Sequence, residues 1–177
     1  MPETTKETVD NLNDLIEILK DGQKGFEAAA EDAEWADLKL IFSRFSEQRA
    51  KFADDLQALV AQTGEKPEES GTMAGAIHRG WIHLKSSLTT RDDLAILEEC
   101  ERGEVSAVEA YRDALGSQLG EAHPVVAEQA VEVQAAHDKV RSPARLVQES
   151  LATKLLKAAS PCRHRRSLNL ALVGLLF

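Results

Sequence analysis

Apolar residues recur at every third or fourth position along the first part of the chain, which is the period of an amphipathic helix. The stripe consists of Leu12, Leu15, Ile16, Leu19, Phe26, Ala30 and Ala33. Thr4 and Glu7 precede it at the spacing of a capping box, in which each side chain binds a backbone N–H of the first turn. The pattern therefore predicts a first helix from about residue 5 to residue 34.

A second stripe with the same period follows a break near Trp35. It consists of Leu38, Ile41, Phe42, Phe45, Arg49, Phe52, Leu56 and Leu59. Gly64 stands where a glycine commonly ends a helix in the left-handed conformation. We therefore expect a second helix that begins near residue 37 and ends just before Gly64.

The segment from Gly64 to Thr90 separates the two halves of the chain. It opens with the turn-forming stretch "GEKPEESGT" and continues with Met73, Ile77, Trp81, Leu84 and Leu88 at helical spacing. Because compact domains seldom contain so long a loop without structure, we interpret it as a crossover that includes a short helix. His78 and His83 are five positions apart and do not share a helical face, so they do not form a ligand pair.

Two more helices are predicted in the second half. The third begins at Thr90, which has capping spacing to Asp93, and ends between Gly116 and Gly120; its stripe is Leu94, Leu97, Glu101, Glu104, Val108, Tyr111 and Leu115. The fourth begins at His123-Pro124, since proline suits a first helical position, and ends at Ser142-Pro143. Its stripe is Val126, Ala130, Val133, His137 and Val140.

Four long helices with short connections inside each half and one long crossover between the halves predict an all-α fold. This connectivity is that of a ferritin-like four-helix bundle, because an up-down-up-down bundle needs only short loops. The pattern assigns residues 1–142 to the bundle. Residues 143–177 form a basic and apolar tail unlike the body.

The charge of −9 is spread unevenly along the 177 residues. The segment after residue 150 contains five basic residues and no acidic one, so the acidic charge belongs to the bundle. An acidic body repels phosphate groups, which argues against nucleic acid or an anionic membrane as partner. The tail fits either a peripheral anchor or an altered, poorly packed end, and the apolar run 167–177 is too short for a transmembrane helix of ~20 residues.

The N-terminal residues are polar and lack the basic-then-apolar order of a signal peptide, so we expect a cytoplasmic protein. Its two cysteines, Cys100 and Cys162, are too far apart in the sequence to suggest a disulfide framework or a zinc site. Cys100 lies in a helical segment, and we interpret it as a small buried thiol.

Polar residues interrupt the apolar stripes at one level of the predicted bundle. Counting from the turn near residue 120 places Glu104 opposite His137, and counting from the break near residue 36 places Arg49 opposite Gln23. The predicted cluster contains Gln23 or Glu27, Arg49, Glu101, Glu104, Gln134 and His137. Such a cluster is either a metal site or a buried ion pair.

Five stretches carry a resemblance to a known superfamily. They are "GFEAAAED" at 25–32, "SEQRAKFADDL" at 46–56, "HRGWIHLKSSL" at 78–88, "DDLAILEECERGE" at 92–104 and "AAHDKVR" at 135–141. Together they resemble the ferritin-like superfamily, and most closely a family of uncharacterised bacterial four-helix-bundle proteins with a ferritin-like domain of unknown function. That family implies the fold and brings no established activity.

Di-iron members of the superfamily use one glutamate from each of two helices and a Glu-x-x-His pair from each of the other two. Glu104 resembles a single glutamate and His137 resembles the histidine of the second pair. However, Arg49 stands in the region of the first pair and Gln134 replaces the second glutamate. On the first helix Gln23 and Phe26 lie on the expected face, with Glu27 at its margin.

The permanent charge of Arg49 opposes a pair of metal ions in the same layer. We therefore interpret the layer as a degenerate metal site. Arg49 pairs in it with Glu104 or Glu101, and Gln134 and His137 satisfy the remaining lone pairs. The protein is then a non-catalytic, structural or stress-associated interaction protein without a cofactor, self-associating through a bundle face. The alternative is an iron- or manganese-binding protein or oxidase with Glu104, His137, Glu101 and Glu27 as ligands.

Overall fold

Four α-helices account for most of the described part of the chain. The computed structural model describes residues 3–69 and 93–142. The helices are α1 (Glu3–Asp32), α2 (Ala36–Gln62), α3 (Asp93–Leu115) and α4 (His123–Arg141). No strand occurs in these two ranges, and no helix within them is long and apolar enough to cross a membrane. The four predicted helices are confirmed to within a few residues.

The helix ends follow the local sequence signals. Gly64 has a φ of 83°, the left-handed conformation expected of the glycine that follows α2. A short 3₁₀ turn, Gly120–Ala122, leads into α4, and Pro124 lies in the first turn of that helix. Both positions match the predicted boundaries.

Hydrogen bonds between helices show how they are oriented. Asn11 near the start of α1 donates to Ser117 after the end of α3, and the backbone of Glu34 after α1 donates to Asp93 at the start of α3. These two helices are therefore antiparallel. The backbone N–H of Glu68 bonds the Asn13 side chain, so α2 ends at the opposite end of the bundle from the start of α3.

The connection between α2 and α3 thus joins opposite ends of the bundle, as the predicted crossover requires. The predicted crossover helix, together with Trp81 and the two histidines near it in the sequence, lies outside the described residues. The tail from residue 143 onward, including Cys162, lies outside them too.

The apolar interior consists of two clusters along the bundle axis. One is centred on Leu12, Leu15, Ile16, Leu19, Phe52, Leu56, Tyr111 and Val126, and the other on Phe26, Phe42, Ile96, Leu97, Cys100 and Val140. In the second cluster the Phe26 ring stacks on Phe42 with centroids 6.1 Å apart. Fully burying each large apolar side chain contributes about 1.5–3 kcal/mol, so these clusters supply most of the drive to fold.

The inner face of α3 differs from the predicted stripe. Leu94 is 54% exposed and Glu101 is only half-buried, whereas Asp93, Cys100 and Ala107 are buried. The buried face of the helix is therefore rotated from the predicted stripe toward Asp93, Cys100 and Ala107. The prediction weighted large apolar side chains and therefore misplaced this face.

Candidate functional site

A buried ion pair joins α2 to α3 between the two apolar clusters. Arg49 Nη2 donates to Glu104 Oε2 at 2.7 Å, and the two side chains are 1% and 3% exposed. In a low-dielectric interior such a charge-assisted hydrogen bond is strong, and each charge depends on the other for compensation. Of the two acids that the sequence offered as partners of Arg49, the structure brings Glu104 into contact with it.

The space for the arginine is made by a small residue on α1. A Cβ added to Gly22 would lie 3.6 Å from both Cγ and Cδ of Arg49, so the arginine stem packs directly against the α1 backbone. The Phe26 ring lies 5.8 Å from the guanidinium carbon, at cation–π distance. The aliphatic and aromatic contacts therefore hold the guanidinium at the level of Glu104.

A second hydrogen bond continues the polar chain toward the surface. Arg49 Nη1 donates to Gln48 Oε1 at 2.7 Å, and Gln48 Nε2 donates to Glu132 Oε2 on α4 at 2.7 Å. Sequence reasoning missed Gln48, because a residue adjacent to Arg49 on the same helix points away from its stripe. The contact between Gln48 and Glu132 depends on where α4 lies, which the sequence pattern does not give.

The acid of the pair has competing influences on its protonation. Burial raises the pKa of Glu104, while the charge and hydrogen bond of Arg49 and the nearby His137 lower it. Burial is the largest of these effects, so the pKa of Glu104 lies above its ordinary value. The ion pair offsets only part of the cost of placing the carboxylate in the core.

His137 is buried on α4, and its neighbours are local. Its Nδ1 lies 3.3 Å from Gln134 Nε2 and 3.3 Å from Asp138 Oδ1. Gln134 also donates to Asp138 at 2.9 Å, and the hydrogen bonds from Gln134 and His137 hold the pKa of Asp138 below its usual range. Gln134 is exposed, so its predicted place beside Glu104 in the core is corrected: it faces solvent with Asp138.

The remaining predicted residues lie at the edge of the layer or outside it. Glu101 is half-buried, and its carboxylate lies 3.8 Å from Arg141 Nε at the surface. Glu27 is exposed on α1, and Gln23 contributes its backbone oxygen, which accepts a hydrogen bond from Ser46. The structure therefore joins Arg49 to Glu104 with His137 nearby, and it leaves Glu27 and Gln134 outside the core.

The donor set of this layer does not fit a two-metal centre. Such a centre needs several anionic oxygens directed at one point, and here the Glu104 carboxylate is directed at the guanidinium of Arg49. Among residues 3–69 and 93–142, no three His, Cys, Asp or Glu side chains are grouped closely enough to hold a metal ion.

Two other polar contacts between elements, one buried and one partly buried, were not expected from the sequence. Tyr111 donates from its hydroxyl to Gln129 Oε1 at 2.7 Å, linking α3 to α4. Asp93 Oδ1 and Oδ2 accept the backbone N–H groups of Glu34 and Trp35 at 2.7 and 3.0 Å, linking α3 to the α1–α2 turn. From the sequence we interpret Asp93 as part of the cap of its own helix. The sequence shows only that Asp93 lies at a helix start, and it does not show that this start faces the α1–α2 turn.

Comparisons with known proteins identify the family and the fold of the chain. The family model described as Domain of unknown function (DUF2383) matches residues 7–117, more than half of the chain. No curated protein matches the chain. A mutant of Dps1 from Mycobacterium smegmatis superimposes with a TM-score of 0.64 at 16% identity, over 80% of this chain and 97% of that one.

A second solved structure is a two-domain protein from Anabaena variabilis with DJ-1/ThiJ/PfpI-like and ferritin-like domains. It has a TM-score of 0.62 at 12% identity, over 94% of this chain and 42% of that one. At these identities the likeness establishes the fold alone, which is a ferritin-like four-helix bundle.

Proposed function

Because this chain belongs to the family described as Domain of unknown function (DUF2383) and has a ferritin-like fold, we propose that it is a non-catalytic ferritin-like protein with a degenerate metal site. The observation that carries the proposal is the buried ion pair between Arg49 and Glu104. The guanidinium takes the role of counter-charge that metal ions have in di-iron bundles.

The energetics of the pair support a role in fixing how α2 and α3 are aligned. Removing two charges from water costs nearly as much as their attraction returns, so a buried pair adds little net stability. Loss of one partner nevertheless costs about 3–5 kcal/mol, because the other charge is left uncompensated. The pair therefore favours one alignment of α2 and α3 over others that separate Arg49 from Glu104.

The biological role we propose is that of a cytoplasmic structural or stress-associated interaction protein that self-associates through a bundle face. The stress association rests on the resemblance to bacterial ferritin-like proteins. The acidic charge of the chain repels nucleic acid and anionic surfaces, so we propose partners of another kind.

Metal retention tests the proposal. The full chain is loaded with Fe²⁺ or Mn²⁺ under anaerobic conditions, passed through a desalting column and assayed for metal. We expect far less than one ion per chain, and the same trace amount in the Glu104→Gln variant. Stoichiometric retention that disappears in Glu104→Gln overturns the proposal in favour of a metal-binding protein or oxidase that uses Glu104, Glu101 and His137.

A further inference from the structure

The outer side of α3 presents an apolar residue between two opposite charges. Glu98, Val105 and Arg112 are spaced seven positions apart, and residues at this spacing lie within about 20° of each other around a helix. All three are exposed, and Val105 keeps 40% of its surface accessible although it is apolar. They therefore form one outward-facing stripe on α3, in the order acid, valine, base.

The helix α4 lies beside this stripe and widens the surface. Arg141 Nε lies 3.8 Å from the Glu101 carboxylate, which places α4 along the flank of α3. Val131 of α4 is 71% exposed, on the side of that helix opposite Gln129, whose side chain accepts the buried hydrogen bond from Tyr111. The surface formed by the outer sides of these two helices, which we call the α3–α4 face, therefore includes the exposed Val105 and Val131.

The order of charges along α3 is complementary to itself when two copies of the helix are antiparallel. With a two-fold axis at Val105, Glu98 of each copy faces Arg112 of the other, since both lie about 10 Å along the helix from the axis. Arg102 and Glu109, three and four positions from Val105, face each other in the same way. A parallel arrangement would instead place Glu98 against Glu98 and Arg112 against Arg112. The charges therefore favour an antiparallel pair.

The contacts of Arg112 and the size of the face fit such a pair. Arg112 Nε and Nη2 each lie 3.3 Å from Oδ1 of the adjacent Asp113, which is longer than the usual hydrogen bond from nitrogen to oxygen. Helices of 23 and 19 residues side by side form a face about 30 Å long and about 20 Å wide. The resulting area of about 600 Å² is at the lower end of what one partner buries in a specific interface, which indicates a reversible dimer.

We propose that two copies of this chain form an antiparallel dimer through the α3–α4 face, with Val105 at the two-fold axis. This inference rests on the self-association included in the proposed function, and it assigns that self-association to one face of the bundle. Val105 contacts Val105 of the second copy, and the pairs of Glu98 with Arg112 on both sides fix the register. Because these charge pairs are near the surface, high salt should weaken the dimer.

Sedimentation equilibrium of the full chain and of charge-reversed variants tests the proposal. We expect a reversible equilibrium between monomer and dimer. Glu98→Arg and Arg112→Glu each bring two pairs of like charges together, so each variant alone should dimerise at least roughly tenfold more weakly. Mixed in equal amounts, the two variants should form a dimer, because every reversed charge then faces its opposite. Asp54→Arg, at an exposed position of α2, changes the net charge as Glu98→Arg does and should dimerise like the unmodified chain.

Val105→Glu places two carboxylates at the axis and should abolish the dimer, which gives a second variant at an exposed position if a charge reversal folds poorly. A chain that stays monomeric at every concentration, a dimer that persists in the single variants, or a mixture no more dimeric than its components would each overturn the proposal. A persisting dimer would place the self-association on another face, and metal retention tests the degenerate metal site independently. Failure of this proposal is therefore distinguishable from failure of the proposed function.

Discussion

Arg49 and Glu104 are 55 positions apart in the sequence, and their side chains meet at 2.7 Å in the interior of the bundle. Neither charge could be buried without the other, because a single buried charge would lack an opposite charge to compensate it. The apolar clusters on both sides keep water away from the pair. The consequence is a strong dependence of each residue on the other, which mutation can measure.

Removal of one partner should be far more damaging than removal of both. Arg49→Met should lower the free energy of unfolding by about 3–5 kcal/mol, since Glu104 loses its counter-charge. The double variant Arg49→Met/Glu104→Leu should recover most of this loss, because two apolar side chains replace two buried charges. Urea denaturation of the single and double variants measures the coupling.

The exposed pair between Arg102 and Glu99 is the matched control on α3. Arg102 Nη1 contacts Glu99 Oε2 at 2.5 Å, but the arginine side chain is 72% exposed. Arg102→Met should therefore change the free energy of unfolding by less than about 1 kcal/mol. A double variant of the buried pair that is as unstable as Arg49→Met would contradict the interpretation.

The stability loss of Arg49→Met should grow as the pH rises. Burial raises the pKa of Glu104 and Arg49 opposes this, so removing Arg49 raises the folded-state pKa further. A carboxyl with a raised folded-state pKa contributes stability that is full below its unfolded-state pKa and is lost as the pH rises through the folded-state value. The deficit relative to the unmodified chain should therefore be smaller at acidic than at neutral pH.

Chemical denaturation across the range from acidic to mildly alkaline pH gives this profile. The control is the double variant Arg49→Met/Glu104→Gln measured against Glu104→Gln, because both chains lack the titrating carboxyl and the difference between their free energies of unfolding should be nearly independent of pH. A deficit of Arg49→Met that shrinks with rising pH would show that Glu104 does not carry the effect.

Asp93 should stabilise the end of the bundle through the turn it binds. Asp93→Ala removes the acceptor for the backbone N–H groups of Glu34 and Trp35, and the expected loss is about 1–2 kcal/mol, since water reaches this turn. Asp93→Asn retains one acceptor oxygen and should lose less. Hydrogen exchange of the Glu34 and Trp35 amides should accelerate in Asp93→Ala, and unchanged exchange would contradict the assigned contact.

Cys100 should be nearly inert in the folded protein. It is 8% exposed, and burial, aided by the carboxylates of Glu104 and Glu99, raises the pKa of its thiol. Since the thiolate is the reactive form, iodoacetamide should modify Cys100 at neutral pH roughly 100-fold more slowly in the folded than in the unfolded chain. The Cys162→Ser background isolates this thiol, and equal rates in buffer and in urea would refute the expectation.

Helix existence and ends were predictable because they depend on local signals. The period of apolar residues, Gly64 after α2 and Pro124 at the start of α4 each act through the backbone within one or two turns. The pairing of Arg49 with an acid of α3 was also predictable, since a buried arginine requires a carboxylate and the helical levels can be counted. The long segment between the two halves predicted the ferritin-like connectivity, and the family resemblance agreed with it.

By itself the sequence determined four amphipathic helices, the long connection between its halves and one charged layer across them. The tertiary structure alone decided how far α3 is rotated, that Gln48 links Arg49 to Glu132 of α4 while Gln134 faces solvent, and that Asp93 binds a distant turn. These contacts depend on side-chain size and on the relative positions of helices far apart in the chain. Periodicity records which residues avoid water, and only packing selects their partners.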